Sequence, residues 1–260
     1  MSFSPPAVLA FAASDPTSGA GLQADLLTLA ALRTYPLCAV TALTVQDTRG
    51  VYRLQSVDAE LVAEQARRVL ADIPVAAFKL GVLGSPAVVH AVADVLAEHR
   101  AVPVVLDPVL ASARGDVLAG EATLAALRER LLPLATVVTP NSEEARRLAP
   151  GLSALADRAR ALTGLGCQYV LVTGTHEPTP EVVNTLYDAR GVVRSDRWPR
   201  LPQSYHGSGC TLAAAIAAAL AQGASVAEAV RKAQDFTWRS LAAGFRPGRG
   251  QHVPNRLVAI

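Results

Sequence analysis

The sequence predicts an α/β protein, a three-layer α/β/α sandwich with a mainly parallel central sheet. Three observations carry the prediction. Short apolar or β-branched runs alternate with longer helical patterns along most of the chain, as in βαβ units whose sheet is covered on both faces. Hydrophobic residues make up 51% of the 260 residues but aromatics only 5%, so the core is built from Ala, Val and Leu, which lets helices pack closely on a sheet. No linker, low-complexity tract or repeat of about 20–50 residues breaks the pattern. One domain over residues 1–260 is the economical division.

The elements follow in order. A strand is expected at Val8–Ala12, a helix at Ala20–Arg33 and a strand at Leu37–Ala42. Ser56-Val57-Asp58-Ala59-Glu60 supplies capping residues for a helix over Ala59–Asp72. Strands at Ala76–Lys79, Pro103–Leu106, Thr136–Thr139 and Tyr169–Val172 alternate with helices at Pro86–His99, Glu121–Leu131, Ser142–Leu148 and Ala154–Leu165. Val182–Asp188 and Val192–Arg197 flank Ala189-Arg190-Gly191 and predict an antiparallel hairpin at the sheet edge. A helix starting at Gly209 and another over Val226–Ala243 complete the chain.

Composition excludes several classes. Net charge is only +2, two of the basic residues are lysines (Lys79 and Lys232), and no basic run is interleaved with aromatics, so a nucleic-acid binder is not expected. Cys38, Cys167 and Cys210 are odd in number and widely spaced. They form neither a metal pair nor a disulfide framework, and a reduced, cytoplasmic protein is expected. Residues 1–13 lack the positive start of a signal peptide, and the apolar stretch Leu212–Gln222 is too short to span a bilayer.

The most informative segment is Tyr205-His206-Gly207-Ser208-Gly209-Cys210-Thr211, a glycine turn running into a small-residue helix. Glycine at 207 and 209 permits positive φ and close backbone approach. The first N–H groups of the helix then face a ligand where the macrodipole favours negative charge. Taken alone, such a turn is more often a tight bend with a small buried cysteine. Its neighbours alter that balance, because ligands of open α/β sheets sit beyond the carboxyl ends of the strands. Ser14–Gly21, Asp107–Asp116 and Thr139–Glu144 each follow a predicted strand on that side.

Each has a plainer reading too. Ser14–Gly21 is not a Walker loop and alone is an ordinary βα turn. Asp25 lies in an otherwise apolar helix, so it is expected either on a solvated face or held by a polar ligand. Gln46 reaches the rim, where its amide suits the edge of a heterocycle or simply solvent. Asp107 and Asn141-Ser142-Glu143-Glu144 offer oxygens suited to Mg²⁺, and Asn141 equally fits a helix cap. His90, His99 and His252 read as structural or surface residues; His206, beside the turn, is the better functional candidate.

Together these segments resemble the hydroxymethylpyrimidine and phosphomethylpyrimidine kinases of thiamine biosynthesis, within the ribokinase-like superfamily. The matching pieces are Ser14–Leu26, Thr41–Val51, Lys79–Leu83, Val105–Val109, Thr139–Ala145 and His206–Leu212, in the family's order, and the likeness runs from Val8 to about Gly250. The resemblance implies that Asp25 and Gln46 hold the aminopyrimidine, with Ala13, Val82 and Val109 at the pocket. It implies that the Gly207–Ser208–Gly209 amides form the anion hole and that Cys210 replaces the aspartate base of many sugar kinases. A helix N-terminus is expected to lower that thiol's pKa, letting it accept a proton late in transfer. Asn141, Glu144, Thr173, Arg114 and Thr211 fall on the nucleotide side, with Asp107 and Glu144 at Mg²⁺.

The chain departs from the family at three places. Ala13 stands where a glycine is usual, Ala111–Asp116 lacks the usual Lys-Ser-Gly-Asp, and Val172-Thr173-Gly174-Thr175-His176 replaces a common Lys-Gly-Gly-His. Two phosphate-side lysines are therefore absent, and Arg114 is expected to substitute for one. The implied activity is ATP- and Mg²⁺-dependent phosphorylation of 4-amino-5-hydroxymethyl-2-methylpyrimidine, its monophosphate, or both, by a homodimer. The alternatives are a pyridoxal kinase and a weakly catalytic pyrimidine sensor.

Overall fold

The computed structural model describes residues 4–111, 115–116 and 118–258. Nine strands form one sheet in the order β3-β2-β1-β4-β5-β6-β7-β8-β9. The six central strands, β2 (Tyr35–Asp47), β1 (Ala7–Ser14), β4 (Val75–Leu80), β5 (Val104–Leu106), β6 (Val137–Val138) and β7 (Tyr169–Val172), run parallel. Antiparallel strands close both edges: β3 (Gly50–Ser56) on one side, β8 (Glu181–Asp188) and β9 (Gly191–Pro199) on the other. The predicted edge hairpin is thus present. Its turn is fixed by Asp188, whose carboxylate accepts from the amides of Arg190 (2.8 Å) and Gly191 (3.1 Å).

Strand β3 was not expected from the sequence. It is an edge strand with three of its seven residues exposed and none buried, and a bulge between Val45 and Gln46 breaks the register of its pairing with β2. The same pairing carries β2 five residues beyond the predicted end at Ala42, so Gln46 lies within the strand.

Helices cover both faces. On one, α2 (Ala59–Asp72), α3 (Pro86–Ala97), α4 (Glu121–Ala126), α5 (Ser142–Leu148) and α6 (Leu155–Gly164) bury Val62, Val92, Leu124, Leu148 and Leu162 against Phe11, Phe78 and Leu106. On the other, α1 (Gly21–Ala31), α7 (Ser208–Ala221) and α8 (Val226–Ala242) bury Leu29, Ala213–Ala219 and Phe236 against Val8, Ala77 and Val105. The predicted Glu121–Leu131 helix is α4 continued by a π turn at Leu127–Leu131. Caps explain the starts: Asp58 accepts from Glu60 N (3.0 Å) and Leu61 N (3.1 Å), and Ser85 precedes Pro86 at the first turn of α3. Among the described residues no helix is long and apolar enough to cross a membrane.

Successive parallel strands lie on opposite sides of β1, with β2 to one side and β4 to the other. This is the topological switch point where doubly wound sheets bind ligands. The loops after β1, β4 and β5 open there.

Candidate active site

The glycine turn heads α7. Gly207 is the N-cap residue in the left-handed region (φ 85°), and no side chain caps the helix. A Cβ at Gly207 would overlap the carbonyl oxygen of Gly19 and lie 2.8 Å from Arg256 Nη2. Only glycine therefore lets the turn rest on the Ser14–Gly21 loop. Thr211 is buried, and its hydroxyl donates to Gly207 O (2.8 Å). The capped helices α2, α3, α5 and α8 offer their first amides to their own side chains. The first amides of α7 have no such acceptor, and a Cβ on exposed Gly209 would stand only 3.4 Å from Asp107 Oδ2. The turn thus faces the end of β5.

A charged cluster lies behind it. Lys79 on β4 and Asp25 on α1 are both wholly buried, with Nζ 2.8 Å from Oδ2. Asp25 is therefore not on a solvated face, the first of the two expectations; one of its oxygens is paired with a lysine delivered by a buried strand. Burial alone would lower Lys79, but Asp25, Cys210 and Asp107 outweigh it and hold the ammonium above its ordinary value. Burial pushes Asp25 up against the pull of Lys79. These tendencies conflict over where the shared proton sits. The 2.8 Å contact, with Asp107 also favouring the ammonium, places it on Lys79.

Cys210 corrects a second expectation. Burial pushes its thiol up to about 12; Lys79 pulls it down, Asp25 and Asp107 push it up, and a hydrogen bond with the Gly21 backbone lowers it slightly. The helix N-terminus does not overcome desolvation, so the resting residue is a thiol.

On the other flank, Asn141 and Glu144 form a capping box at α5. Asn141 Oδ1 accepts from Glu144 N and Glu144 Oε2 from Asn141 N, both at 2.9 Å. The capping reading of this segment holds. Burial, then the neighbouring Asp107 carboxylate, push Glu144 up to about 8; burial pushes Asp107 up to about 6. Asp107 Oδ2 is buried with no hydrogen-bond partner. Thr173 is paired with Asn141 across the ends of β6 and β7, and Asn184 Oδ1 accepts from Gly174 N (3.1 Å). Arg114 lies outside the described residues. Among those described, no three His, Cys, Asp or Glu side chains group as a metal centre.

A small crevice at Asp107 is also lined by Val82, Leu83, Val109 and Leu118. Gln46 reaches instead toward His206, with Nε2 atoms 3.2 Å apart, and His206 Nε2 meets Asp15 Oδ2 at 2.9 Å. Asp15 also accepts from Thr17 N and Ala20 N, both at 2.8 Å. Burial opposes ionisation of Asp15, yet these hydrogen bonds together hold it below its ordinary pKa. Ala13 is buried at the end of β1, its carbonyl against Gly21.

The structure therefore gathers Asp107, Glu144, Cys210 and the turn at one point, and adds Lys79, Asp15 and Arg256. Lys79 carried a signal: a lysine inside an apolar strand has to be paired. Arg256 carried none, since its environment is made by residues far away in sequence.

An uncapped glycine turn opening a helix, set beside acid groups at a switch point of this sheet, defines a small-molecule kinase of the ribokinase-like class. The comparisons agree. The family model for phosphomethylpyrimidine kinase matches residues 15–255, and the chain belongs to that family. It is 44% identical over 257 residues to a hydroxymethylpyrimidine/phosphomethylpyrimidine kinase of Mycobacterium bovis, covering 96% of this chain and 93% of that protein. Its fold is similar to an ADP complex of Bacillus subtilis pyridoxal kinase (TM-score 0.89, 31% identity, 97% of this chain and 98% of that one). It is also similar to a phosphomethylpyrimidine kinase of Clostridium difficile (TM-score 0.79, 30% identity, 91% and 99%).

Proposed function

We propose that the protein transfers the γ-phosphoryl group of ATP to the hydroxymethyl oxygen of 4-amino-5-hydroxymethyl-2-methylpyrimidine, and onward to the resulting monophosphate, in the cytoplasm. The observation that carries this is the uncapped N-terminus of α7 facing Asp107, which shares a small crevice with Val82 and Val109. The Gly207–Gly209 amides stabilise charge on the phosphoryl group as it moves, where preorganised donors act most strongly. Gln46 holds the heterocycle edge, beside the His206–Asp15 pair. Asp25 acts on the pyrimidine side through Lys79. Asn141, Glu144 and Thr173 face the nucleotide.

Asp107 and Glu144 fit a dication. One buried carboxylate oxygen is unpartnered, and each group's ionisation is opposed by burial. When bound, Mg²⁺ neutralises charge on the phosphates while keeping most of its own waters. Cys210 is the proton acceptor. Its thiol answers to Lys79 on one side and two carboxylates on the other; with Asp107 neutralised, Lys79 is the stronger influence and draws the thiol down. Phosphoryl transfer is loose and the proton leaves late, so positioning outweighs base strength.

Leu43, Val45 and Tyr52 are 54%, 58% and 61% exposed on the β2–β3 hairpin. We assign this apolar face to a second copy of the chain, with sedimentation equilibrium as the test. The activity is tested by ADP release with mass analysis of the product. Pyridoxal is the second reading, because its kinases share the fold over nearly the whole chain. Faster turnover of pyridoxal than of the pyrimidine would replace the first reading. Tight pyrimidine binding without product would make the protein a sensor.

A further inference from the structure

After α8 the chain folds back across the site. Phe245 and Val253 exchange backbone hydrogen bonds (3.1 and 2.8 Å), His206 N donates to His252 O (2.8 Å), and Asn255 N donates to Ser240 O (2.9 Å). This brings Arg256 beneath the glycine turn, where it is only 4% exposed. Its guanidinium makes a fork with three arms. Nε donates to Thr211 Oγ1 (3.0 Å), Nη1 to Ser18 O (3.3 Å), and Nη2 to Gly19 O (2.5 Å) and, more weakly, to Gly207 O (3.5 Å).

Two properties of this arrangement point beyond stability. The arms reach both loops that define the site: Ser18 and Gly19 from the loop after β1, Gly207 and Thr211 from the turn of α7. Each of these partners is also a neutral oxygen. A buried cation is ordinarily paired with an anion, whereas this one is bonded only to carbonyls and a hydroxyl. The carboxylates whose charges reach it through space are Asp25 and Asp15, both in the site itself, with Cys210 beside them. An anion in the glycine turn would complete its pairing.

We propose that Arg256 is a positioning residue for phosphoryl transfer: it locks the Ser18–Gly19 loop to the Gly207–Thr211 turn and lends that turn a fixed positive charge. The inference rests on the kinase reading above. A lysine would not replace Arg256, since a compact ammonium cannot reach four acceptors spread around a planar guanidinium.

The test uses the full chain with Arg256→Ala, Arg256→Lys and, should the alanine variant not fold, Arg256→Gln. Misplacing the turn is expected to lower kcat of Arg256→Ala about 100-fold, with pyrimidine KM shifting by less than about threefold, the pattern of an interaction made in the transition state. Arg256→Lys is expected to stay impaired, and added guanidinium ion to raise kcat of Arg256→Ala but not of the wild type. Hydrogen exchange is expected to speed up in residues 15–21 and 205–211 together. A variant with wild-type kcat, or exchange that rises only in the tail, overturns the proposal. Loss of activity that tracks thermal stability, without guanidinium rescue, also overturns it. A wild type that turns over no pyrimidine would defeat the functional reading, while the exchange experiment would still decide the role of Arg256.

Discussion

Replacing Lys79 by methionine probes the least expected contact in the molecule. The Lys79–Asp25 pair is wholly buried at 2.8 Å, and Asp25 Oδ1 already has no hydrogen-bond partner. Lys79→Met strands that carboxylate. Breaking a buried pair from one side costs about 3–5 kcal/mol. At about 2–4 °C per kcal/mol for a chain of roughly this length, Tm should fall by about 6–20 °C. Lys79→Met combined with Asp25→Leu removes both charges, and an apolar pair of similar volume should bring stability back to within about 2 kcal/mol of wild type. Urea unfolding of the four proteins closes the cycle. Activity should behave differently. The charge of Lys79 also reaches Cys210 and Asp107, so the double variant should fold yet remain at least about tenfold down in kcat, which corresponds to about 1.4 kcal/mol. Additive losses in the cycle would refute the pairing energetics. Full recovery of kcat in the double variant would reduce Lys79 to a structural support.

Cys210→Ala should lower kcat by at least ~100-fold, the range of a general base, with pyrimidine affinity nearly unchanged by calorimetry. Because the wild-type thiol is pushed up to about 12, wild-type kcat should keep climbing above neutral pH; a plateau from about pH 7 would move the proton to Asp107. Gln46→Ala should weaken pyrimidine binding more than nucleotide binding, and equal losses would remove Gln46 from the pocket. Glu144 and Asp107 are raised in the fold to about 8 and about 6 from 4.5 and 3.8. The folded protein therefore holds protons that the unfolded chain has released, and this stabilisation is complete below the unfolded values and lost as pH rises through the folded ones. The urea midpoint of metal-free protein should fall between about pH 5 and pH 9, and Mg²⁺ should flatten the decline. A midpoint that rises over that range would contradict the two shifts.

The central strands and the helices were legible because each is long or strongly patterned: Ala59–Asp72, Ser142–Leu148 and Tyr169–Val172 were placed to the residue. Strand β3 was not, since a half-exposed edge strand with a bulge has neither a continuous apolar run nor clean alternation. The turn at Gly207 and the Asn141–Glu144 box were visible because their chemistry is local. The pairing of Asp25 with Lys79 was missed for the opposite reason. The carboxylate's environment is set by Lys79, 54 residues away, and no local pattern reports a cross-element partner. The thiol of Cys210 was expected to be acidic because a helix start is readable in sequence and burial is not. Arg256, 237 positions from Gly19, is the extreme of the same effect.

Helix α7 carries a further implication. Every residue from Thr211 to Ala219 is buried, and most are alanine. It lies between α1 and α8 and against β1, β4 and β5. Such a helix has no free side toward which it could yield. A single added methylene at Ala214 or Ala217 has nowhere to go except by shifting the rod, and the rod ends in the amides that we propose receive the phosphoryl group. The alanines act as shims that set the height of the turn above the sheet. A scan of all substitutions should therefore show a stripe of intolerance from Leu212 to Ala219, about two turns long, that looks catalytic although none of its residues was placed at a substrate.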